Sequence, residues 1–222
     1  MVDIVVIHQI LFVFTIYISQ YLMILLKYHQ LLPNYLFTNK ILEGELMIVI
    51  VGESGSGKSS IEKELENNHK FHRVITYTTR PKREREQDGK DYYFVNDSSF
   101  LNLASHEFFV ETTSFKGWYY GTPKDSCNED SVIVVNPHGL RQLKNKGIKF
   151  ISFYVKVPRE DRMIKMLQRG DNIEEAYRRN LSDVGMFTGI EDEVDYVIEN
   201  IGYRHTVKDM ANIIVKCIKE KK

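Results

Sequence analysis

A short apolar segment of this chain leads directly into a glycine-rich loop, and this pair of features restricts the fold more than any other part of the sequence. Residues 48–51, Ile-Val-Ile-Val, are β-branched, as is typical of a buried parallel strand. Residues 52–59 match the pattern G-x-x-x-x-G-K-[ST], and a helical segment over 60–67 follows. A strand, a loop and a helix in this order predict the start of an α/β fold. The alternative, a flexible Gly/Ser linker, is disfavoured because a linker would not lie between a buried strand and an amphipathic helix.

The loop has the residue types that a polyphosphate requires. Glycines let consecutive backbone N–H groups surround an anion, and the N-terminus of the following helix adds its positive end. Lys58 would bridge the β- and γ-phosphates, and the Ser59 hydroxyl would bind Mg²⁺. We therefore predict ATP and Mg²⁺ as cofactors. The predicted binding residues are Gly52, Ser54, Gly55, Ser56, Gly57, Lys58, Ser59 and Ser60, with Ser59 as the metal ligand.

Basic and aromatic residues after the loop predict a second, smaller anion site. Arg80 and Arg83 lie three residues apart, and guanidinium groups bind a phosphate dianion bidentately. Glu111, in an otherwise apolar segment, could accept hydrogen bonds from a base that presents adjacent N–H donors. The alternative for Glu111 is a solvated position on the exposed face of a strand, since Phe109, Glu111 and Thr113 alternate as in a half-buried strand.

The order of these motifs resembles guanylate kinase. The motifs are GESGSGKS at 52–59, TTRPKR at 78–83, DGKDYYF at 88–94, FVE at 109–111 and YYGT at 119–122, and the resemblance runs from Met47 nearly to the C-terminus. It implies ATP-dependent phosphorylation of GMP, and of dGMP, to the diphosphate by in-line transfer. The residues that it implies for the GMP phosphate are Arg80, Arg83, Tyr92 and Tyr120, and those for the guanine edge are Thr76, Glu111 and Thr122.

The charged segment over 172–187, which contains Arg178 and Arg179, is predicted to be helical. The same resemblance implies a mobile lid over residues 158–190 that closes on the phosphates. Arg169 and Arg179 would stabilise the transferred group together with Lys58 and Arg80, and Asn200 would lie near the adenine. Alternatives to the kinase are a non-catalytic guanylate-kinase-like module that binds a protein, and a related kinase that acts on sugar phosphates. The retained lysine of the loop disfavours the first, and the guanine-reading residues disfavour the second.

Four positions depart from the pattern that the resemblance implies. Met166 and Asn180 stand where lid arginines are expected, so the transferred group has fewer cations unless Arg162 or Arg178 substitutes. Val134 and Asn136 stand where two acidic residues are expected. Asn136 can still hydrogen-bond guanine or a water, and we predict it as a substrate-binding residue, but it brings no negative charge for Mg²⁺. These departures predict slow catalysis.

Alternating strands and helices predict the fold class: an α/β, P-loop three-layer fold with a mainly parallel sheet. A small mixed β insert that binds GMP is expected over about 79–128, and a helical lid over about 158–190, both within a domain of residues 47–222. The active site is expected at the carboxyl ends of the parallel strands.

Residues 1–46 form an apolar N-terminal extension whose composition differs from the rest. Ile, Leu, Tyr and Phe dominate, and Ala and Arg are absent. We predict that Met47 is the true first residue. The alternatives are a membrane segment over 4–26, which is long and apolar enough to span a bilayer, and a soluble extension.

The overall charge and the cysteines exclude several classes of function. Thirty basic and thirty acidic residues give a formal net charge of zero, so we expect no nucleic-acid partner. Cys127 and Cys217 match neither a metal-ligand nor a redox spacing, and the seven histidines match no metal site. We expect a cytoplasmic monomer or homodimer with GMP and ATP as partners, membrane-anchored only if the N-terminal segment is genuine.

Overall fold

Two β-sheets and their flanking helices make up the part of the chain that the structure, a computed structural model, describes: residues 46–84, 86–115 and 117–221. The strands in these ranges are β1 (Met47–Val51), β2 (His72–Arg73), β3 (Tyr77–Thr78), β4 (Tyr93–Phe94), β5 (Phe109–Phe115), β6 (Trp118–Pro123), β7 (Ser131–Val135), β8 (Phe150–Lys156) and β9 (Tyr196–Glu199). The α-helices are α1 (Lys58–His69), α2 (Asp97–Ser105), α3 (Pro137–Asn145), α4 (Arg159–Gln168), α5 (Ile173–Asp183) and α6 (Val207–Lys221).

The larger sheet has five strands in the order β2-β7-β1-β8-β9, and each neighbouring pair is parallel. Its central strand β1 is buried along its whole length. Ile48 and Ile50 face one cluster, which includes residues of α1 and α6, while Val49 and Val51 face another, which includes residues of α3. Because side chains alternate along a strand, this one apolar segment supports both faces of the sheet. The predicted α/β fold with a mainly parallel sheet is confirmed.

The smaller sheet is mixed and has the strand order β4-β3-β6-β5. Strands β3 and β4 are parallel, whereas β6 is antiparallel to both β3 and β5. Helix α2 closes this sheet through Phe100, whose ring stacks on Phe109 at 4.7 Å and on Tyr119 at 5.4 Å between centroids. Gly121 is required here, because a Cβ on it would lie 2.8 Å from the Phe109 ring. The sheet runs from Tyr77 to Pro123 and overlaps the predicted insert, whose exact boundaries stay predictions.

The helix that carries the lid arginines is shorter than the sequence pattern indicates. A helical segment is predicted over 172–187, but α5 ends at Asp183. Val184 adopts extended backbone angles and Gly185 has a φ of 77°, so the chain turns away from the helix axis there. Asn172 begins the helix by accepting hydrogen bonds from the N–H groups of Glu174 and Glu175.

Neither the predicted start at Met47 nor the membrane segment over 4–26 can be compared with the fold, since residues 1–45 lie outside the described residues. Within the ranges that are described, the apolar helices are all too short or too polar to cross a bilayer.

We predict that Ile50→Ala lowers the free energy of unfolding by about 3–4 kcal/mol, because it removes a buried side chain from the central strand and leaves a cavity. Urea denaturation of the two proteins measures the difference. Ile164→Ala on α4 is the matched control, because Ile164 is 54% exposed and its truncation should change stability by less than about 0.5 kcal/mol. Equal effects of the two substitutions would contradict the assignment of β1 to the core.

Candidate active site

The glycine-rich loop leaves the carboxyl end of β1 and returns as α1, and its glycines are needed for its path. Gly55 and Gly57 have φ values of 85° and 95°, a region that residues with a Cβ rarely adopt. A Cβ on Gly52 would lie 2.8 Å from the carbonyl oxygen of Val155 and 2.8 Å from the hydroxyl of Ser56. The loop therefore lies directly on β8, and its backbone is held in a curved conformation.

The N-terminus of α1 suits a phosphate group. Its N-cap residue is Gly57, and no side chain of the described residues caps its first N–H groups. The ammonium group of Lys58 donates to the carbonyl oxygen of Glu53 at 2.7 Å, across the mouth of the loop. Burial lowers the pKa of Lys58 to about 8, against the opposing attraction of the carboxylates of Asp183 and Glu53. The uncapped amides and this lysine fit the β- and γ-phosphates of ATP.

Ser59 and Ser60 are exposed in the first turn of α1, so the predicted metal ligand Ser59 lies at the same end of the helix as the phosphate cradle. Ser56 is buried, and its hydroxyl finds no hydrogen-bond partner among the described residues. Nor do those residues contain a group of three or more His, Cys, Asp or Glu side chains that could hold a metal ion. This donor set fits an Mg²⁺ ion that the Ser59 hydroxyl would help to hold beside the phosphates of a bound nucleotide.

A buried ion-pair network covers the other side of the loop. The backbone N–H of Ser54 donates to the carboxylate of Asp183 at 2.8 Å. The guanidinium of Arg162 lies 3.4 Å from the same carboxylate oxygen and 3.3 Å from the carbonyl oxygen of Ser54. Glu53, which accepts a hydrogen bond from the hydroxyl of Tyr154 at 3.0 Å, is 3.8 Å from Arg162. Three elements, β8, α4 and α5, therefore contact the phosphate loop through polar groups.

The arginines predicted for the GMP phosphate lie together and share a carboxylate. Arg80 is buried, and its guanidinium donates to Glu86 at 2.7 Å. The second oxygen of Glu86 accepts from the backbone N–H of Arg83 at 2.9 Å, and the Arg83 guanidinium is 3.8 Å from Glu86. A carboxylate and a phosphate present similar oxygens to a guanidinium fork. This arrangement therefore has the geometry of an anion site.

Two tyrosines predicted for the same phosphate lie beside Arg80. The guanidinium carbon of Arg80 is 5.3 Å from the centre of the Tyr92 ring, which is itself 6.2 Å from the Tyr120 ring. Burial raises the pKa of the Tyr92 hydroxyl above its usual value, so the hydroxyl stays protonated and can donate a hydrogen bond at neutral pH. The structure thus brings together Arg80, Arg83, Tyr92 and Tyr120.

Glu111 is buried rather than solvated, with 4% of its surface exposed. Its carboxylate accepts a hydrogen bond of 2.5 Å from the hydroxyl of Thr122, the residue opposite it on β6. Burial raises the pKa of Glu111 to about 7, although the Thr122 hydrogen bond and the charge of Lys146 act in the opposite direction. Glu111 and Thr122, two of the three residues predicted to read a guanine edge, are therefore already paired.

The remaining predicted contacts to the base are less clearly arranged for a ligand. Asn136 caps α3 by accepting from the N–H of Gly139, and its amide donates to the hydroxyl of Thr113, both at 2.9 Å. Thr76 immediately precedes β3, and its carbonyl oxygen accepts from the N–H of Tyr93 at 3.0 Å. The roles of Asn136 and Thr76 stay predictions.

The lid arginines differ in their position. Arg179 lines a cavity of about 370 Å³, together with Asp171 and Glu175 on one side and Arg80 and Arg83 on the other. Its guanidinium contacts Asp171 at 3.3 Å and Glu175 at 3.2 Å. Arg169 follows the end of α4 and is more exposed, and it is held by Asp171. The structure therefore brings Arg179 to the predicted GMP phosphate site, whereas Arg169 reaches it only through Asp171.

Asn200 lies at the carboxyl end of β9, on the sheet edge where the phosphate loop begins. Its side-chain amide donates to the carbonyl oxygen of His205 and accepts from the N–H of the same residue, both at 3.0 Å. These two bonds hold the loop over 200–205 closed. An adenine contact from Asn200 stays a prediction.

Two of the departures from the expected pattern have a structural explanation. Met166 is buried and packs against the phosphate loop, since a Cβ on Gly55 would lie 3.3 Å from its side chain. Asn180 is buried as well and donates to the carbonyl oxygen of Ala176 at 3.2 Å. Met166 therefore packs against the loop where an arginine is expected, and Asn180 is buried with its amide bonded within α5.

Sequence reasoning missed the partners of the predicted residues. Asp183 could not be distinguished from other acids in a charged helix, and Glu86 lies in a loop that is charged throughout. Gly139 carried a detectable signal, because a glycine inside a helix is unfavourable unless another group approaches closely. A Cβ at Gly139 would lie 2.8 Å from the Glu111 carboxylate, so this glycine makes room for Glu111 under α3.

We predict that Glu111→Gln raises the free energy of unfolding relative to the unsubstituted protein by roughly 2–3 kcal/mol at pH 8, and by much less near pH 5. The pKa of Glu111 is about 7 in the folded protein and near 4.5 in the unfolded chain. Between these two pH values the folded protein keeps a proton that the unfolded chain has lost, so the free energy of unfolding falls as pH rises. The fall is complete once the buried carboxylate is itself ionised. Glutamine carries no such cost.

Urea denaturation of both proteins at pH 5 and pH 8 measures this difference. Glu129→Gln is the matched control, because Glu129 is exposed and the same change there should not alter the pH dependence. A Glu111→Gln protein with the same pH dependence as the unsubstituted protein would contradict burial of this carboxylate.

Comparisons with known proteins agree on one family. The family model described as Guanylate kinase matches residues 45–217. A guanylate kinase from Prochlorococcus marinus subsp. pastoris is 32% identical, over 76% of this chain and 96% of its own length. A guanylate kinase from Mycoplasmoides gallisepticum is 30% identical, over 82% of this chain and 96% of its own length.

A solved structure whose sequence has low identity to this chain supports the same fold. The crystal structure of guanylate kinase from Anaplasma phagocytophilum superposes with a TM-score of 0.60 at 22% identity, and the match covers 80% of this chain and 86% of the other. The family match spans both sheets and every site residue named above. The chain belongs to the guanylate kinase family.

Proposed function

We propose that this protein transfers the γ-phosphoryl group of ATP to GMP, and to dGMP, giving ADP and the guanosine diphosphate. The observation that carries the proposal is the buried carboxylate of Glu111, paired with Thr122 in the same small sheet that carries Arg80, Tyr92 and Tyr120. Guanine presents N1–H and its 2-amino group side by side, and one carboxylate can accept both. Adenine has no N–H at N1, so it would leave the buried acceptor unsatisfied.

The pH at which Glu111 is ionised matters for this role. Because burial raises its pKa to about 7, the empty site holds a substantial fraction of protonated carboxyl at neutral pH. Two N–H donors of guanine stabilise the ionised form and would lower that pKa on binding. Thr122 already donates to one oxygen and keeps the carboxylate oriented toward β6.

Binding of the GMP phosphate requires that Glu86 give up its place on the arginines. Arg80 and Arg83 hold the Glu86 carboxylate through one guanidinium N–H of Arg80 and the backbone N–H of Arg83. A phosphate dianion carries more charge than a carboxylate and more acceptor oxygens, so it competes well for the same donors. The hydroxyls of Tyr92 and Tyr120 would donate to the remaining phosphate oxygens.

Phosphoryl transfer needs position and charge rather than a covalent intermediate. Bound MgATP supplies the phosphoryl group. Lys58 and the N-terminal amides of α1 would hold the donor phosphates, and Arg179, which faces Arg80 and Arg83 across the cavity, would stabilise charge on the transferred group. Movement of α5 toward the small sheet would close this cavity and exclude water. Arg169 would contribute through Asp171.

We expect the full chain to release ADP from MgATP in the presence of GMP or dGMP, and not with AMP, CMP or UMP. A coupled assay of ADP release measures this. Lys58→Ala should lower kcat by about 10²–10³-fold, because it removes a preorganised cation from the transferring phosphate. Lys219→Ala, an exposed lysine on α6, is the matched control and should leave the rate unchanged.

Glu111→Gln should lower kcat/KM for GMP by about 10–100-fold, because an amide replaces one acceptor oxygen with a donor that opposes the guanine N–H groups. The same assay with GMP and AMP measures the change in preference, with Glu129→Gln as the control. Turnover of AMP at the rate of GMP by the unsubstituted protein would reject the proposed base recognition. ATP binding with no turnover of any nucleotide would instead favour the non-catalytic module or the sugar-phosphate kinase.

A further inference from the structure

We propose that Arg162 contacts the phosphoryl group being transferred, and that Asp183 occupies this place in the empty site until the γ-phosphate of ATP displaces its carboxylate. The proposal rests on the proposed function and adds to it two residues, one acting on the phosphoryl group and one acting through Arg162. Met166 and Asn180 stand at the positions where lid arginines are expected. Arg162, one turn before Met166 on α4, would take over the role of those arginines.

Arg162 is buried against the phosphate loop, with 5% of its surface exposed. Its Nε atom donates to the carbonyl oxygen of Val157 at 3.1 Å, and one terminal nitrogen lies 3.3 Å from the carbonyl oxygen of Ser54. The other terminal nitrogen is 3.8 Å from Glu53. A guanidinium fixed in this way at the rim of a phosphate loop needs little reorganisation to meet an anion that enters the loop.

Asp183 shows where that anion would lie. Its carboxylate accepts the backbone N–H of Ser54 at 2.8 Å, and the same oxygen lies 3.4 Å from Arg162. A backbone N–H of a phosphate loop together with a guanidinium is a donor pair suited to a phosphate oxygen. The carboxylate of Asp183 therefore occupies a position that a phosphoryl oxygen can take, and it acts as an internal anion in the empty site.

The charges around Lys58 support exchange of one anion for the other. Burial lowers the pKa of Lys58 to about 8, the Asp183 and Glu53 carboxylates act against this shift, and Arg162 and Arg179 add to it. All four charges therefore act on the ammonium that would bind the phosphates. Two carboxylates balance the two nearest cations, Lys58 and Arg162. A γ-phosphate that entered without loss of Asp183 would add negative charge beside a buried carboxylate, which is unfavourable in a site of low dielectric.

The position of Asp183 in the chain permits its release. It is the last residue of α5, and the backbone turns at Val184 and Gly185 immediately afterwards. Arg179, one turn earlier on the same helix, faces the predicted GMP phosphate site. A movement that swings the C-terminal end of α5 away from the loop would therefore carry Asp183 off it and move Arg179 at the same time. Binding of ATP would be coupled to movement of the lid.

The test compares a nucleotide that has a γ-phosphate with one that lacks it, using the full chain. Affinities for Mg-AMPPNP and Mg-ADP are measured by titration calorimetry for the unsubstituted protein and for Arg162→Met, Arg162→Lys and Asp183→Asn. Arg159→Met is the control, because Arg159 is exposed at the start of α4. Thermal unfolding of each variant establishes that it is folded.

We expect Arg162→Met to weaken AMPPNP binding by about 10–100-fold while ADP binding changes less than about 3-fold, since only the γ-phosphate meets the guanidinium. Arg162→Lys should lose less, because it keeps the charge but not the fork, and it decides the question if Arg162→Met does not fold. Arg159→Met should leave both affinities unchanged. Equal losses for the two nucleotides in Arg162→Lys would overturn the proposal and make Arg162 a structural brace.

Asp183→Asn should strengthen AMPPNP binding relative to ADP by about 3–10-fold, because a neutral amide oxygen still accepts the Ser54 N–H but competes less well with phosphate. An unchanged ratio of the two affinities would show that Asp183 does not occupy the phosphoryl position. Neither measurement requires GMP. A protein that shows both affinity changes but does not phosphorylate GMP would therefore refute the proposed function and leave the nucleotide contact of Arg162 standing.

Discussion

The close contact between the phosphate loop and β8 is the constraint on which the site depends. Gly52 has no Cβ, so the loop can approach the carbonyl oxygen of Val155 and turn sharply from β1 into α1. Because all five strands of the large sheet are parallel, their carboxyl ends lie on one edge. The segments that follow β7, β8 and β9 therefore start from the same sheet edge as the loop, and they carry Asn136, Arg162 and Asn200.

Acidic partners of the binding cations are the second feature that organises the site. Glu86 lies on Arg80 and Arg83, Asp183 lies on Arg162, and Asp171 holds both Arg169 and Arg179. A buried cation is costly without a counterion, so a site built to bind polyanions needs internal anions when it is empty. In the function proposed above, these carboxylates give way when substrates bind, which would link substrate binding to movement of Glu86 and of α5.

Local patterns in the sequence predicted the parts of this site that are contiguous in the chain. The apolar run at 48–51, the glycine spacing and the terminal Lys58-Ser59 define a strand, a loop and a helix, and all three are present. The small mixed sheet was predicted through the motif resemblance. The end of α5 at Asp183 was not, because the helical pattern of residues 172–187 continues past the point at which Val184 and Gly185 change the backbone direction.

Sequence patterns establish membership of one family and predict the chemistry: a phosphate loop, a pair of arginines for a second phosphate and a glutamate for a base. Which of these groups face one another, and which are already paired, is decided by how the strands and helices pack. Pairings such as Ser54 with Asp183 join residues that are 129 positions apart. No local pattern specifies such a contact, because it depends on how α5 packs against the loop. Burial, which raises the pKa of Glu111 and lowers that of Lys58, is likewise a property of the packed molecule.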